Sequence, residues 1–91
     1  MSAILEVADN LFEDPRFEAD KCGPAGGHTL LVLLIRASSV GSPVFDMMTA
    51  RELCRASDPD AVIDSLVTHG FLRRDGEQVV IVDAPDLWRL A

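Results

Sequence analysis

Apolar residues at Ile4, Leu5, Ala8, Leu11 and Phe12 recur at i, i+4, i+7 and i+8, which predicts an amphipathic helix over residues 2–13. Glu6, Asp9, Asn10 and Glu13 take the opposite side, Ser2 is a plausible cap, and Pro15 ends the element because it pushes the preceding residue out of helical angles. Residues 14–28 are broken by Pro15, Gly23, Pro24, Gly26 and Gly27. They read as a loop, with one short turn at Arg16-Phe17-Glu18-Ala19. The Leu-rich run over 29–38 predicts a central buried helix, since leucine favours helix over strand. Gly41-Ser42-Pro43 then breaks the chain, and Val44-Phe45-Asp46-Met47 suffices for a short strand.

The second half carries clearer punctuation. Thr49-Ala50-Arg51-Glu52 is a capping box, with Leu53, Cys54 and Ala56 behind it as an apolar face. Ser57-Asp58-Pro59-Asp60 starts a second helix: a cap, a proline in the first turn, and acids at the positive end of the dipole. Val62, Ile63, Leu66 and Val67 form its stripe, and Gly70 is the expected stop. Two strands, Phe71–Arg74 and Glu77–Val82, flank Asp75-Gly76, a pair suited to a primed turn with positive φ at both residues. Asp83-Ala84-Pro85-Asp86 predicts a last helix anchored by Leu87, Trp88 and Leu90. The expected core is Leu33, Leu53, Ile63, Leu66, Leu72 and Val80.

This order, helix, short strand, helix, turn, helix and hairpin, resembles the winged helix-turn-helix superfamily. Met48–Leu53 looks like the opening of its first motif helix. Leu66-Val67-Thr68-His69-Gly70-Phe71-Leu72-Arg73-Arg74 resembles the end of its recognition helix and the first wing strand. Val79–Asp83 followed by Leu87–Ala91 is similar to the C-terminus of catabolite-activator-type regulators. The resemblance implies an α+β fold: one winged-helix domain with an extra N-terminal helix and a small antiparallel wing. Its expected organisation over 1–91 is an acidic helix (1–13), a loop (14–28) and a winged-helix core (29–91). It also implies DNA binding, with the second motif helix in the major groove and the wing on the backbone.

Charge changes that picture. The 91 residues carry 15 acids and 8 bases, a net charge of −7, where a nucleic-acid binder is normally basic. The acidity is concentrated at the start: residues 1–20 hold six acids against Arg16 alone. The recognition helix holds Asp58, Asp60 and Asp64 and no lysine or arginine. With Ile63, Leu66 and Val67 facing inward, it offers Asp60, Ala61, Asp64, Ser65 and Thr68, and carboxylates oppose the phosphate neutralisation that supplies DNA affinity. The expectation is therefore a regulatory or adaptor protein acting by protein contact through Asp60, Asp64, Ser65 and Thr68, inhibiting or assembling with a nucleic-acid-binding partner. The alternative is a DNA-binding regulator using Arg51 and Arg55 on the first motif helix and Arg73 and Arg74 at the wing. A homodimer through terminal helices is a further expectation, on Ile4, Leu5, Leu11, Phe12 and Trp88.

Other chemistry is thin. Cys22, His28, Cys54 and His69 are the available zinc ligands, but no CxxC pair is present. Cys54 reads as a small apolar residue on a helix and Cys22 as a partly exposed loop residue. Gly23-Pro24-Ala25-Gly26-Gly27-His28-Thr29 fails as a phosphate loop, because His28 and Thr29 replace the required glycine and lysine. No nucleophile has a base at a recognisable spacing, so no enzyme, metal or cofactor is expected. Met1–Glu6 lacks the basic start of a signal peptide. The longest apolar run, Leu30–Ile35, is too short to cross a ~30 Å hydrocarbon core. A cytoplasmic protein without a membrane partner is expected.

Overall fold

The structure, a computed structural model, describes residues 5–18, 21–84 and 86–90. In chain order these form β1 (Leu5–Val7), two 3₁₀ turns (Leu11–Glu13 and Pro15–Phe17), α1 (Gly23–Val40), β2 (Val44–Asp46), α2 (Met47–Leu53), α3 (Pro59–Thr68), β3 (Leu72–Asp75), β4 (Gln78–Ile81) and β5 (Trp88–Leu90). The class is α+β. Among the described residues there are two antiparallel sheets, a β1–β5 ribbon and a three-stranded sheet in the order β2-β4-β3.

The ends of the chain depart from the expected terminal helices. Residues 5–7 are extended because they pair with the far end of the chain, Leu5 opposite Leu90, Glu6 opposite Arg89 and Val7 opposite Trp88. The charged pair is a favourable cross-strand match, and the Ala8 amide donates to the Leu87 carbonyl at 2.8 Å. Leu11 is buried but Phe12 is 52% exposed, so the helical stripe never forms. At the other end, Leu87 and Trp88 amides both donate to the Ala84 carbonyl, giving a single turn before the chain extends into β5. Ser2, Ile4, Ala19 and Pro85, which the sequence assigns to these terminal elements and to the short turn, lie outside the described residues.

The central helix starts earlier than expected. Gly26 and Gly27, expected in a loop, lie inside α1, where glycine costs about 0.5–1 kcal/mol relative to alanine. Close packing requires them: a Cβ on Gly26 would sit 2.8 Å from the Cys22 Cβ, and one on Gly27 would sit 3.2 Å from the Phe12 ring. Leu30, Leu33, Leu34 and Ala37 are buried, while Ile35 and Val40 point to solvent. Gly41, at φ +74°, ends the helix.

The turn from β2 into α2 removes the expected capping box. The helix begins at Met47 with no side-chain cap, and Thr49 lies within it. The Met47 amide instead donates to the Glu77 carbonyl at 2.9 Å, so the hairpin tip satisfies the helix start. The next helix follows its signal: Asp58 accepts from the Ala61 amide and Pro59 opens α3. Gly70, at φ +84°, redirects the chain into β3. In the hairpin Asp75 pairs with Gln78, leaving Gly76-Glu77 as the two-residue loop. Only Gly76 has positive φ, which fits a type II′ turn with glycine first rather than a turn positive at both Asp75 and Gly76.

Leu33, Ile63, Leu66 and Leu72 are buried as expected. Leu53 and Val80 are only half-buried. On β4 the inward residues are Val79 and Ile81, so the period-two alternation puts Val80 on the outer face beside Val44 and Arg73. An aromatic row runs from Phe12 through Phe17 and Phe71 to Trp88, with centroid separations of 5.4, 4.7 and 6.0 Å. Among the described residues, no helix is long and apolar enough to cross a membrane.

Candidate interaction surface

The outer face of α3 is the expected site, and its spacing follows from burial. Ile63 and Leu66 are fixed in the core, so Asp60, Ala61, Asp64 and Thr68 are exposed on the opposite side. Ser65 does not belong with them. It is half-buried, and its hydroxyl donates to the Lys21 carbonyl at 3.3 Å. Its own carbonyl accepts from the His69 ring Nδ1 at 2.8 Å and from the Cys22 thiol at 3.7 Å. Ser65 therefore ties α3 to the start of α1 rather than facing outward.

The arginines of the DNA alternative come to this same face, where the carboxylates hold two of them. Arg51 on α2 donates from Nε to Asp60 at 2.7 Å. Arg74 on β3 lies 3.8 Å from Asp64. Asp60 beside Arg51 raises the guanidinium's already high pKa further. Both pairs are exposed, so each contributes no more than about 0–1 kcal/mol, but each sets a carboxylate where a phosphate would have to approach. Arg55 is not on the first motif helix, as the sequence suggested, but beyond its end at Leu53. Arg73 points to the outer face of the sheet, away from Arg74. The four arginines thus form no single footprint.

The zinc candidates separate in the same way. Cys22 and Cys54 are free and buried, which corrects the partly exposed reading of Cys22. Cys54 caps the end of α2, and its sulfur accepts from the Thr29 hydroxyl at 3.2 Å. Among the described residues no three His, Cys, Asp or Glu side chains are grouped to hold a metal.

Two features escaped the sequence reading. Arg16 is a clamp: Nε and Nη2 donate to the two Asp14 oxygens at 3.0 and 2.9 Å, and Nη1 donates to the His69 carbonyl at 2.9 Å. Its guanidinium also lies 3.9 Å over the Phe71 ring. The paired donors hold the Asp14 carboxyl below the usual aspartate range. The second feature is the outer face of α1, where Ile35 is 55% and Val40 58% exposed. The acid-free composition of that helix was the available signal. The terminal dimer residues, by contrast, are largely used internally: Leu11 and Trp88 are core and Leu5 is half-buried.

No family model matches the chain, and neither a curated protein nor a solved structure matches it.

Proposed function

We propose that the chain is a non-catalytic winged helix-turn-helix module that works by protein contact through the outer face of α3. The order α1, β2, α2, α3, β3, β4, with β4 pairing both β2 and β3, supports the winged-helix reading. β3 and β4 then correspond to the wing, and α3 to the second motif helix. The observation that carries the functional reading is the double pairing of Arg51 with Asp60 and Arg74 with Asp64. It engages two of the four cations a duplex would need and places acids beside them.

The same pairing suits a protein partner. Exposed ion pairs are cheap to open, so a partner's arginine or lysine can take Asp60 or Asp64 in exchange. Ala61 and Thr68 supply small, uncharged surface between them. With an overall charge of −7, a partner of basic character, including a nucleic-acid-binding protein, is the best electrostatic match.

A photo-crosslinker at Thr68 tests this reading in native lysate. A discrete protein adduct is expected. Asp60→Lys with Asp64→Lys should remove it, while Arg73→Ala with Arg74→Ala should leave most of it. Adducts to nucleic acid alone, or the opposite order of the two double variants, would overturn it.

A further inference from the structure

The 18 residues of α1 contain no aspartate or glutamate, in a chain that carries 15 acids. Its outward stripe is apolar: Leu31 and Val32 are half-buried, and Ile35 is more than half exposed. A groove flanks each end of that stripe. Near the start of α1, Phe12, Phe17, Gly27, His28 and Leu31 line a space of about 430 Å³. Toward its end, Val32, Ile35, Arg36, Ser39 and Leu53 line one of about 390 Å³.

The geometry points to a second copy of this chain as the occupant, packed α1 against α1 in antiparallel fashion about a two-fold axis. This surface is separate from the α3 face and does not rest on the function proposed for it. A two-fold interface must be self-complementary, with protrusion and recess on the same patch. The stripe meets that requirement, because an antiparallel partner sets the N-terminal groove of one copy opposite the Ile35 and Val40 end of the other. Helix ridges on i±4 rows, here 28-32-36 and 31-35-39, interdigitate in such packing.

Charge favours the same arrangement. Two copies each at −7 repel over most of their surfaces, and least where acid is absent. Arg36 borders the second groove and has no ion-pair partner among the described residues. The antiparallel arrangement carries it toward the partner's Glu13, which follows Phe12 at the rim of the first groove. Opposite charges therefore face each other twice.

The area is sufficient. An 18-residue helix is about 27 Å long at 1.5 Å per residue. Flanked by the 3₁₀ segment and α2 at about 9 Å spacings, the strip covers roughly 700 Å² per copy, near the ~800 Å² of a standard interface side. The broad face of the molecule, 37 × 30 Å, holds it.

Sedimentation equilibrium of the full chain at physiological salt tests the inference. The expected mass is twice the 9.9 kDa of one chain. Ile35→Glu buries an unpaired charge at the contact and should raise the dimer Kd roughly 30-fold or more. Its far-UV circular dichroism should not change, because Ile35 is already more than half exposed. Arg36→Glu should weaken the dimer, and adding Glu13→Arg should restore it. Asp60→Lys with Asp64→Lys should leave the dimer intact, which separates this surface from the α3 face. A monomer at every concentration, or a dimer indifferent to Ile35→Glu, would overturn the proposal.

Discussion

Replacing Arg16 with alanine should destabilise the fold far more than an exposed ion pair would suggest. The side chain is about a third exposed and its Asp14 partner less so. Three interactions disappear together. The stack over Phe71 contributes about 0.5–1 kcal/mol. The charged hydrogen bond to the His69 carbonyl, discounted for its partial exposure, contributes about 1 kcal/mol. The bidentate pair with Asp14 adds about 0.5 kcal/mol. The total is about 2–2.5 kcal/mol, which at about 4–8 °C per kcal/mol lowers the melting temperature of a chain this size by roughly 8–20 °C. Arg16→Lys retains the charge but not the planar fork, so less than half of the loss should return. Thermal melts by circular dichroism measure both variants. Amide exchange adds a local readout: the Ala8 and Cys22 amides, bonded to Leu87 and Arg16 carbonyls, should lose protection first in the alanine variant. A melting point within about 2 °C of the parent, or full recovery with lysine, would refute the clamp.

Three further outcomes follow from the same packing. Leu66→Ala, at a position with no exposed area, should cost about 2–5 kcal/mol in chemical denaturation; a loss under about 1 kcal/mol would mean the core collapses around the vacancy. Gly26→Ala should destabilise rather than gain the usual helix propensity, because its methyl meets the Cys22 Cβ at 2.8 Å. Overpacking of this kind costs about 1–3 kcal/mol, and a raised melting point would contradict the close approach. The Asp14 pKa is lowered, chiefly by its hydrogen bond from Arg16. Its contribution is therefore present above the unfolded value of about 3.9 and lost as pH falls through the lower folded value. A pH series of denaturant midpoints should show that acid-side loss in the parent and a smaller one in Asp14→Asn.

The contrast between the two halves of the chain shows what the sequence could disclose. From Asp58 to Ile81 each boundary has a local cause: the Asp58 cap, Pro59, the Gly70 stop and the tight glycine turn. Those elements appear where their signals stand, apart from the register of the turn by one residue. The ends had no local cause to read. A three-residue strand has too few positions to show a period, and β1 exists only because β5 lies beside it. Gly26 and Gly27 misled for a related reason: glycine marks a loop by propensity, but here it admits Cys22 and Phe12 against the helix. The capping box at Thr49 lost to a carbonyl from Glu77, a residue that reaches Met47 only after the hairpin folds.

The candidate site was legible to the same extent. The α3 stripe gave the exposed positions of Asp60, Asp64 and Thr68 correctly, since burial of Ile63 and Leu66 dictates them. Ser65 sits at the border of that stripe, and the chain before α1 claims it. A linear reading sets an acidic helix face against four arginines, yet two of those arginines share that face. Arg51 and Arg74 reach it from α2 and β3, and only the packing of those elements against α3 brings them there. The apolar run of α1 suggested a helix enclosed on most sides. Its inner face is enclosed, but Ile35 and Val40 are not.

Protein contact through α3 requires that the duplex be a poor ligand. Fluorescence anisotropy of the full chain against a pool of random-sequence duplexes, at low and at physiological salt, measures this without an identified partner. The expected result is binding no tighter than about 10⁻⁵ M at physiological salt, within the non-specific range of 10⁻⁴–10⁻⁶ M. Selection on the same pool should enrich no sequence. A specific duplex bound more tightly than about 10⁻⁷ M at that salt, with a steep salt slope that falls when Arg55 and Arg73 become alanine, would contradict protein contact as the role of α3 and establish a DNA reader.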